Sequence, residues 1–512
     1  MIGVGGGRDL VALDGGSLIP ADLVDVARRG AKVAIAAAAR KRMDQTRAIV
    51  ETYVSQGQVV YGVTTGVGQL CSTLVPPAQA EELQANLVRS HSASAGPPMG
   101  VEAVRAGMLV RLNGLCTGHS GVRPWVADRL ADALNAGLVP WIPIYGSLGA
   151  SGDLGPSAHM TMALTGEGWA LRDDRKVAAS EELGRLGLQA LELRAKEGLA
   201  LLNGTHFSCG LAAIAVEDAQ LLARQADVVG SMSLEALMGT TTPLDPRFQQ
   251  LRAHPGQAAS AARLRRYTRS SQIVASHRLC DRVQDAYSLR CMTQVHGASL
   301  DALGYLDKVV GIELNSVTDN PLVFAEDASC LSGGNFHGQP LALALDFAAL
   351  AVSELASISE RRCFRMLHPA LSGLPPFLTA DSGLNSGYML LQYTSAALLS
   401  ESKRLCLPAS ADSIPTCADQ EDHVSMAWGA AMKLAKVVEL AYLVLAIEAI
   451  CAAQALDLRR PLLPGVGSRA AHTLLRSRIP HLAGDRELSS ELEVTAALLH
   501  EGQLEAAAEM AS

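Results

Sequence analysis

Residues 341–362, LALALDFAALAVSELASISERR, decide the fold class of this chain of 512 residues. Their apolar side chains recur every three or four positions, which is the spacing of an α-helix. Alanine and leucine dominate the segment, and both residue types favour helix. A helix this long and this apolar needs neighbours on several sides, so the segment predicts a helical bundle and favours an oligomer with helices packed across subunits.

The same pattern continues towards the C-terminus, over residues 388–405 and 428–458. The run LAYLVLAIEAICAAQAL within the second segment is interrupted by Glu448. Its longest uncharged stretch is shorter than the roughly 20 residues that a membrane span needs, so it predicts a buried helix. We therefore predict a mostly α-helical protein, with a mixed N-terminal lobe over residues 1–200 and a long helical bundle over residues 201–512.

Composition and charge narrow the possible partners and compartments. The net charge is −8 with no basic stripe, which argues against nucleic-acid binding. The ten cysteines form no CxxC pair, a pattern typical of free thiols in a reducing compartment. The start of the chain lacks the basic segment and apolar run of a secretory signal. We expect a cytoplasmic protein that binds no membrane, and the scattered histidines predict no metal site.

Residues 146–159, GSLGASGDLGPSAH, are nearly all small. If the backbone bends sharply, the nitrogen of Gly152 can approach the carbonyl carbon of Ala150. Ring closure with loss of two waters, one from the Ser151 hydroxyl, would give a five-membered ring with an exocyclic methylidene, which is a strong electrophile. Glycine supplies an unhindered nitrogen and unusual dihedral angles. The residue types alone favour the alternative, an ordinary tight Gly/Ser loop.

Nine segments in this order resemble the aromatic amino-acid ammonia-lyase family, over almost the whole chain. They are YGVTTGVG (61–68), NLVRSH (86–91), GSLGASGDLGPSAH (146–159), EGLALLNGT (197–205), QDAYSLRC (284–291), DNPLVF (319–324), GGNFHGQP (333–340), LNSGYMLLQYTSAAL (384–398) and DQEDHVSM (419–426).

The resemblance implies that Ala150-Ser151-Gly152 forms the family's built-in 4-methylidene-imidazol-5-one in the N-terminal lobe, and that no dissociable cofactor is needed. It also implies the non-oxidative elimination of ammonia from a small-molecule amino acid. The family forms homotetramers whose sites combine residues of several subunits. Its helix N-termini direct their positive ends at the electrophile, which stabilises negative charge there.

The resemblance assigns the two most demanding roles to Tyr61 and Arg290. Tyr61 matches the base that removes the β-proton; a packed strand tyrosine is the alternative. A tyrosine with its ordinary pKa near 10 is a weak base at neutral pH, so its ionised form needs local stabilisation. Arg290 matches the clamp on the substrate carboxylate, a task that suits its planar fork, whereas a surface ion pair is the alternative.

Four further positions match residues that line the family's site. Tyr287, three residues before Arg290 and on the same face if the segment is helical, and Asn203 match positions beside the electrophile. Gln284 and Phe336 match other lining positions. Asn203 could instead be a turn residue, and a lone phenylalanine is more often part of a core.

His91, Met389 and Glu421 together resemble the histidine-using branch of the family, which deaminates L-histidine to urocanate. A carboxylate such as Glu421 can accept a hydrogen bond from an imidazole, and it would be costly and unpaired beside a plain phenyl ring. Individually, a solvated charge pair of Glu421 with Asp422 and a helix-end role for His91 are the simpler interpretations.

Several positions depart from the family pattern and leave other substrates open. Val67 replaces a usual phenylalanine, His206 stands where many histidine-using members have glutamine, and Thr293 replaces a proline. FHGQP resembles the tyrosine and aminomutase branches equally well. The alternatives are a tyrosine or phenylalanine ammonia-lyase, a 2,3-aminomutase, or a non-catalytic helical assembly protein that keeps the fold.

Overall fold

A computed structural model describes residues 8–280 and 282–512 of the chain. The helices of the first part are α1 (Pro20–Arg28), α2 (Ala37–Ser55), α3 (Ala80–His91), α4 (Val101–Cys116), α5 (Pro124–Ala136), α6 (Leu154–Thr165), α7 (Ala179–Leu186) and α8 (Glu197–Leu202). The helices that follow are α9 (His206–Ala236), α10 (Pro246–Leu251), α11 (Pro255–Tyr267), α12 (Gln272–Ser276), α13 (Tyr287–Arg290), α14 (Met292–Glu313), α15 (Gln339–Leu367), α16 (Pro369–Ser372), α17 (Met389–Leu405), α18 (Ala427–Asp457), α19 (Val466–Arg478), α20 (Ser489–His500) and α21 (Gln503–Ala511).

The strands are short and are joined only in pairs within the described residues. They are β1 (Leu10–Leu13), β2 (Lys32–Ile35), β3 (Ala95–Pro98), β4 (Pro143–Tyr145), β5 (Trp169–Arg172), β6 (Arg175–Ala178), β7 (Leu322–Phe324) and β8 (Ser329–Leu331). The β1–β2 pair is parallel, with Leu10 opposite Lys32, and the other three pairs are antiparallel. The predicted mostly α-helical fold with short strands in its N-terminal part is confirmed, while the division at residue 200 stays a prediction.

Four long helices, α9, α14, α15 and α18, form the centre of the bundle. The most apolar window of α15 is long enough to cross a membrane, but 72% of it is buried inside the protein. Helix α18 is also buried along most of its length, as the sequence predicts for the run around Glu448. Packing on several sides therefore explains the apolar character of both helices.

Charged side chains join these four helices inside the core. Arg362 of α15 donates to both carboxylate oxygens of Glu448 in α18, at 2.5 and 2.8 Å. Ser233 of α9 donates to the same carboxylate at 2.6 Å, and His296 of α14 contacts Asp227 of α9 at 2.8 Å. Buried charges are tolerated only when they are paired, and these pairs meet that condition.

Helices α14 and α15 also expose a stripe of large apolar side chains. The exposed apolar stripe consists of Tyr305, Ile312, Leu343, Phe347 and Leu350. The α15 members are four and three positions apart, so they share one helix face. The rings of Tyr305 and Phe347 meet edge to face at 6.3 Å, which makes the stripe continuous between the two helices.

Candidate active site

The segment after β4 turns sharply before α6 begins, and glycine makes this turn possible. Gly149 and Gly152 have φ angles of 72° and 80°, in the left-handed region. A Cβ atom at Gly152 would lie 2.2 Å from the carbonyl carbon of Gly204. Only glycine therefore allows the two backbones to approach this closely.

Distant parts of the chain hold this turn in place. The N–H of Gly204 donates to the carbonyl of Ser151 at 3.2 Å, and the N–H of Asp153 donates to the carbonyl of Gly204 at 2.8 Å. The Ser425 hydroxyl donates to the carbonyl of Gly149 at 2.9 Å, across 276 positions of sequence. The backbone of residues 149–153 is thus fixed from both sides.

The buried carboxylate of Asp153 links this turn to α9. It accepts hydrogen bonds from the hydroxyls of Ser147 and Ser208, both at 2.8 Å, and from the Ser208 N–H at 2.7 Å. Burial raises the pKa of Asp153, and these hydrogen bonds oppose that shift. Because Ser208 lies in the first turn of α9 and Asp153 directly precedes α6, the positive ends of both helices lie beside the turn.

Sequence reasoning missed Asp153 as a functional residue. An Asp directly before a helical pattern is a helix-start signal, and that signal is present in GDLGPSAH. The side chain caps α9 rather than the helix that follows it, and only the three-dimensional structure reveals that partner.

Glu421 lies against the middle residue of the predicted ring precursor. The Ser151 hydroxyl donates to Oε1 of Glu421 at 2.6 Å, although the two residues are 270 positions apart. The Thr416 hydroxyl donates to Oε2 at 2.6 Å, and the backbones of Thr416 and Glu421 are hydrogen-bonded in both directions. The structure therefore brings together two of the predicted site residues and fixes the carboxylate that joins them.

Tyr61 lies in a turn near this carboxylate rather than in a strand. Its ring packs against the apolar cluster that includes Leu87 and Leu199, and its hydroxyl accepts a hydrogen bond from the Gly68 N–H at 2.9 Å. Burial raises the pKa of Tyr61, the Gly68 hydrogen bond opposes the shift, and the charge of Glu421 adds to it. These surroundings disfavour the phenolate that a base at this position requires.

Asn203 and Phe336 are close in sequence to the glycines that hold the turn. Asn203 is buried at the end of α8, directly before Gly204, and its side chain donates to the carbonyl of Asn320 at 2.9 Å. Phe336 is half-buried, two residues before Gly338, whose N–H donates to the carbonyl of Gly149 at 3.2 Å.

His91 and Met389 each occupy the end of a helix. His91 is the last residue of α3, which packs against α6, and its Nδ1 is 2.8 Å from the carbonyl of Leu87. That contact makes Nδ1 the donor nitrogen and leaves Nε2 as the acceptor in the neutral ring. Met389 is half-buried in the first turn of α17. Their predicted contact with substrate stays a prediction.

Gln284, Tyr287 and Arg290 line a separate pocket of about 940 Å³. Tyr287 and Arg290 lie on one short helix, α13, and the guanidinium of Arg290 is 4.8 Å from the centre of the Tyr287 ring. The Tyr287 side chain is 71% exposed, whereas the buried Nε of Arg290 has no hydrogen-bond partner among the described residues. An unpaired buried donor is costly, and it suits an anionic ligand.

The predicted site residues thus fall into two groups within one chain. Neither Ser151 nor Tyr61, Asn203 or Glu421 lines the pocket of Arg290. We call Tyr61, Ser151, Asn203 and Glu421 the electrophile group. We call Gln284, Tyr287 and Arg290 the carboxylate group. In residues 8–280 and 282–512 no cluster of three or more His, Cys, Asp or Glu side chains is arranged to hold a metal ion.

Comparison with known proteins identifies the family. A model described as aromatic amino acid lyase matches residues 18–477. The histidine ammonia-lyase of Gloeobacter violaceus is 49% identical over 504 residues, covering 98% of each chain, and that of Sorangium cellulosum is 50% identical over 500 residues, covering 96% of this chain and 97% of the relative. Two solved structures are similar: the histidine ammonia-lyase of Trypanosoma cruzi (42% identity, TM-score 0.90, 98% and 95% coverage) and the tyrosine aminomutase of Streptomyces globisporus (38% identity, TM-score 0.93, 98% and 99% coverage). The chain therefore belongs to the aromatic amino acid lyase family.

Proposed function

We propose that this protein eliminates ammonia from L-histidine to give urocanate, as a step of histidine breakdown. The contact of 2.6 Å between Ser151 and Glu421 carries the proposal, because it positions a carboxylate beside the residue from which the electrophile would form. A carboxylate accepts the N–H of an imidazole and has no partner on a plain phenyl ring. The histidine ammonia-lyases at 49% and 50% identity support the same substrate.

The turn suits the cyclisation of Ala150-Ser151-Gly152 to 4-methylidene-imidazol-5-one. Gly204 holds the carbonyl of Ser151 and the N–H of Asp153, so Gly152 is bent between two fixed points. The Gly152 nitrogen bonds to the Ala150 carbonyl carbon, and a first water leaves with the Ala150 oxygen and the amide hydrogens of Ser151 and Gly152. A second water takes the hydroxyl and the α-hydrogen of Ser151. The finished ring supplies an electrophile, and the remaining tasks fall to side chains.

We assign proton removal from the substrate β-carbon to Tyr61. Its side chain lies near Glu421, and its hydroxyl already accepts one hydrogen bond from the Gly68 N–H. Because burial raises the pKa of Tyr61, its phenolate form becomes more populated only as the pH rises. Asn203, His91, Phe336 and Met389 complete the surroundings of the substrate in this proposal.

We assign the substrate carboxylate to Arg290, with Tyr287 beside the electrophile and Gln284 lining the site. Since these three residues lie in a different pocket from Ser151, we propose that another copy of the chain supplies them, in a homotetramer. The exposed apolar stripe on α14 and α15 offers a surface for such assembly. The ten free cysteines suit a reducing compartment, and we propose a cytoplasmic location.

A tyrosine or phenylalanine substrate, or a 2,3-aminomutase reaction, is the second candidate. The tyrosine aminomutase structure, at a TM-score of 0.93, favours it. The purified protein should be incubated separately with L-histidine, L-tyrosine and L-phenylalanine, and the products separated by chromatography with mass detection. We expect urocanate from histidine. Coumarate, cinnamate or a β-amino acid without urocanate would overturn the substrate assignment.

The electrophile is tested by intact-mass measurement and by Ser151→Ala. We expect the mass of the wild-type chain to be two waters below the mass calculated from its sequence. The variant has no hydroxyl at position 151, so it should not undergo the second dehydration, and it should keep the wild-type fold. Activity should fall by more than about a thousandfold, because the electrophile supplies much of an enzymatic rate enhancement. Ser180→Ala, at an exposed position of α7, is the matched control and should retain wild-type mass loss and activity. An unshortened wild-type mass would refute the cyclisation.

A further inference from the structure

We propose that Arg111 is a positioning residue that stabilises negative charge on the carbonyl oxygen of Ser151, acting through the peptide group between Asn203 and Gly204. The inference rests on the proposed cyclisation, in which the Ser151 carbonyl becomes the carbonyl of the five-membered ring. It gives a buried cation of α4 a task in the chemistry of the electrophile.

A single peptide group connects Arg111 to the turn. Its carbonyl oxygen, which belongs to Asn203, accepts a hydrogen bond from the Arg111 guanidinium. Its N–H, which belongs to Gly204, donates to the carbonyl oxygen of Ser151 at 3.2 Å. A trans peptide group is planar, with its oxygen and its N–H pointing in opposite directions. The guanidinium that holds the oxygen therefore also directs the N–H towards Ser151.

Arg111 is buried without the partners that a structural arginine usually has. Its side chain is 2% exposed, its one side-chain hydrogen bond among the described residues goes to Asn203, and its Nε has no partner there. Two buried carboxylates lie near enough to act on its charge, but both are bound elsewhere. Asp319 pairs with Lys196 at 2.8 Å, and Asp153 accepts from serine hydroxyls. Buried charges are ordinarily paired, so this exception calls for a functional explanation.

The guanidinium keeps its charge at neutral pH. Burial lowers the pKa of Arg111 to about 9, and the charges of Asp319 and Asp153 oppose this shift. His206, at the start of α9, is a neutral neighbour, because burial and the charge of Arg111 hold its pKa well below the ordinary value. Arg111 thus supplies a positive charge beside the Asn203 carbonyl.

The Ser151 carbonyl oxygen takes up negative charge in two proposed steps. In the second dehydration, the electron pair of the Ser151 Cα–H bond is shared with the adjacent carbonyl as the proton leaves, and it becomes the Cα=Cβ double bond when the hydroxyl departs. In the finished ring, a nucleophile bonds to the methylidene carbon. The C=C pair then forms a double bond to the carbonyl carbon, and the C=O pair moves onto the oxygen.

The same N–H meets the oxygen in both steps. A donor that is already aimed at an oxygen where charge develops needs no reorganisation, and it is worth more in a buried site than in water. Hydrogen bonds in a chain polarise one another. A cation on the Asn203 carbonyl therefore makes the Gly204 N–H a stronger donor to Ser151.

The first test compares Arg111→Met with Arg111→Lys, which keeps a positive charge. Arg105→Met is the matched control, because Arg105 also lies on α4 and donates to backbone carbonyls, those of Val26 and Leu134. Full-length chains are made by cell-free translation, quenched at intervals and weighed intact. We expect Arg111→Met to lose the second water about tenfold more slowly than wild type, the lower end of the effect of losing a charge-assisted hydrogen bond. Arg105→Met should match wild type.

The second test measures the finished ring without substrate. Fully dehydrated chains are treated with cyanide, a small nucleophile, and the adduct is followed by intact mass. We expect the adduct to form about tenfold more slowly in Arg111→Met than in wild type or Arg105→Met. The infrared difference spectrum between free protein and adduct reports the stretch of the ring carbonyl, which should lie at a higher wavenumber in Arg111→Met because the oxygen is less polarised.

The Lys variant separates the charge from a general loss of packing. Arg111→Lys should return both rates and the carbonyl stretch towards wild type. If Arg111→Met does not fold, Arg111→Gln replaces it, since an amide can still donate to the Asn203 carbonyl without carrying charge. Wild-type rates and an unchanged stretch in either uncharged variant would overturn the role of Arg111 and leave the proposed function standing. A wild-type chain that retains both waters would instead overturn the cyclisation.

Discussion

The electrophile group and the carboxylate group both contain side chains that the proposed reaction requires. They differ in how many of their polar atoms find hydrogen-bond partners within one chain. Around Ser151, hydrogen bonds from Gly204 and Ser425 fix the backbone, and Glu421 meets the hydroxyl. Around Arg290, the guanidinium keeps a buried nitrogen without a partner among the described residues, and Tyr287 faces outwards. Within one chain, hydrogen bonds join Ser151 to its neighbours, whereas a buried nitrogen of Arg290 lacks a partner among the described residues. The proposed sharing of sites between subunits would account for this difference.

The largest effect should come from preventing assembly, because that would separate the two groups completely. Leu343→Glu combined with Phe347→Glu introduces two charges into the exposed apolar stripe, where burial against a partner would be costly. We expect smaller particles by light scattering and loss of activity by more than about 10⁴-fold. Met510→Glu makes the same kind of change at an exposed position in α21 and should leave assembly and activity intact. A fully active monomer would show that one chain holds a complete site.

Tyr61 tests the chemistry of the electrophile group. Tyr61→Phe keeps the packed ring and removes the proton acceptor, so we expect kcat to fall by about 10²- to 10⁴-fold. Since burial raises the pKa of Tyr61, activity of the wild type should increase with pH while the phenol is mostly protonated, and Tyr61→Phe should lose this increase. A variant with an unchanged pH profile of kcat would exclude Tyr61 as the base.

Arg290 tests the carboxylate group in the same assay. Arg290→Ala should cost about 2–4 kcal/mol of transition-state stabilisation, or roughly 30- to 1000-fold in kcat/KM, by removing a charge-assisted hydrogen-bond pair. Arg290→Lys keeps the charge without the planar fork and should recover part of the loss. Arg278→Ala removes a second arginine from the same pocket and should have a smaller effect. Equal losses of activity for Arg278→Ala and Arg290→Ala would contradict a specific contact of Arg290 with the substrate carboxylate. They would indicate instead that any positive charge in the pocket has the same effect.

Coexpression of Ser151→Ala with Arg290→Ala tests whether the two groups of one site come from different copies of the chain. Ser151→Ala and Arg290→Ala each damage a different group, so mixed oligomers of the two chains should contain some sites with both residues intact. We expect partial recovery of urocanate formation in the coexpressed protein and none when the two variants are purified separately and assayed without exchange. Absence of recovery in verified mixed oligomers would contradict the sharing of sites between copies.

The smallest effect concerns the tightness of the turn. A Cβ atom at Gly149 would lie 2.4 Å from the hydroxyl oxygen of Ser425, whereas at Gly137 it would meet nothing within 4 Å. Both glycines have positive φ angles, 72° and 83°, so Gly137→Ala measures backbone strain alone. We expect Gly149→Ala to lower the free energy of unfolding by about 1–3 kcal/mol more than Gly137→Ala does, measured by denaturant titration. Equal losses would mean that the turn can relax away from Ser425.

The sequence predicted helices better than it predicted contacts. Periodic leucines and alanines over residues 341–362 are a local signal, and α15 confirms it. The proximity of Ser151 and Glu421 arises across 270 positions of chain, and no local spacing encodes such a contact. The upward shift in the pKa of Tyr61 depends on the side chains packed around it, and the task of Asp153 depends on where α9 begins. Residue types could therefore be assigned from motifs, while their grouping required the folded chain.

The hydrogen bonds that Gly204 and Ser425 make to the turn have a consequence for the life of the chain in the cell. Both partners are translated after Ser151, and Ser425 lies just before α18, so a chain that ends before residue 425 lacks at least the hydrogen bond from Ser425 to the turn. We therefore expect the proposed ring to form only after both partners have folded onto the turn. An unfinished copy would then carry no electrophile, and the electrophile would arise only inside a chain that already shields it.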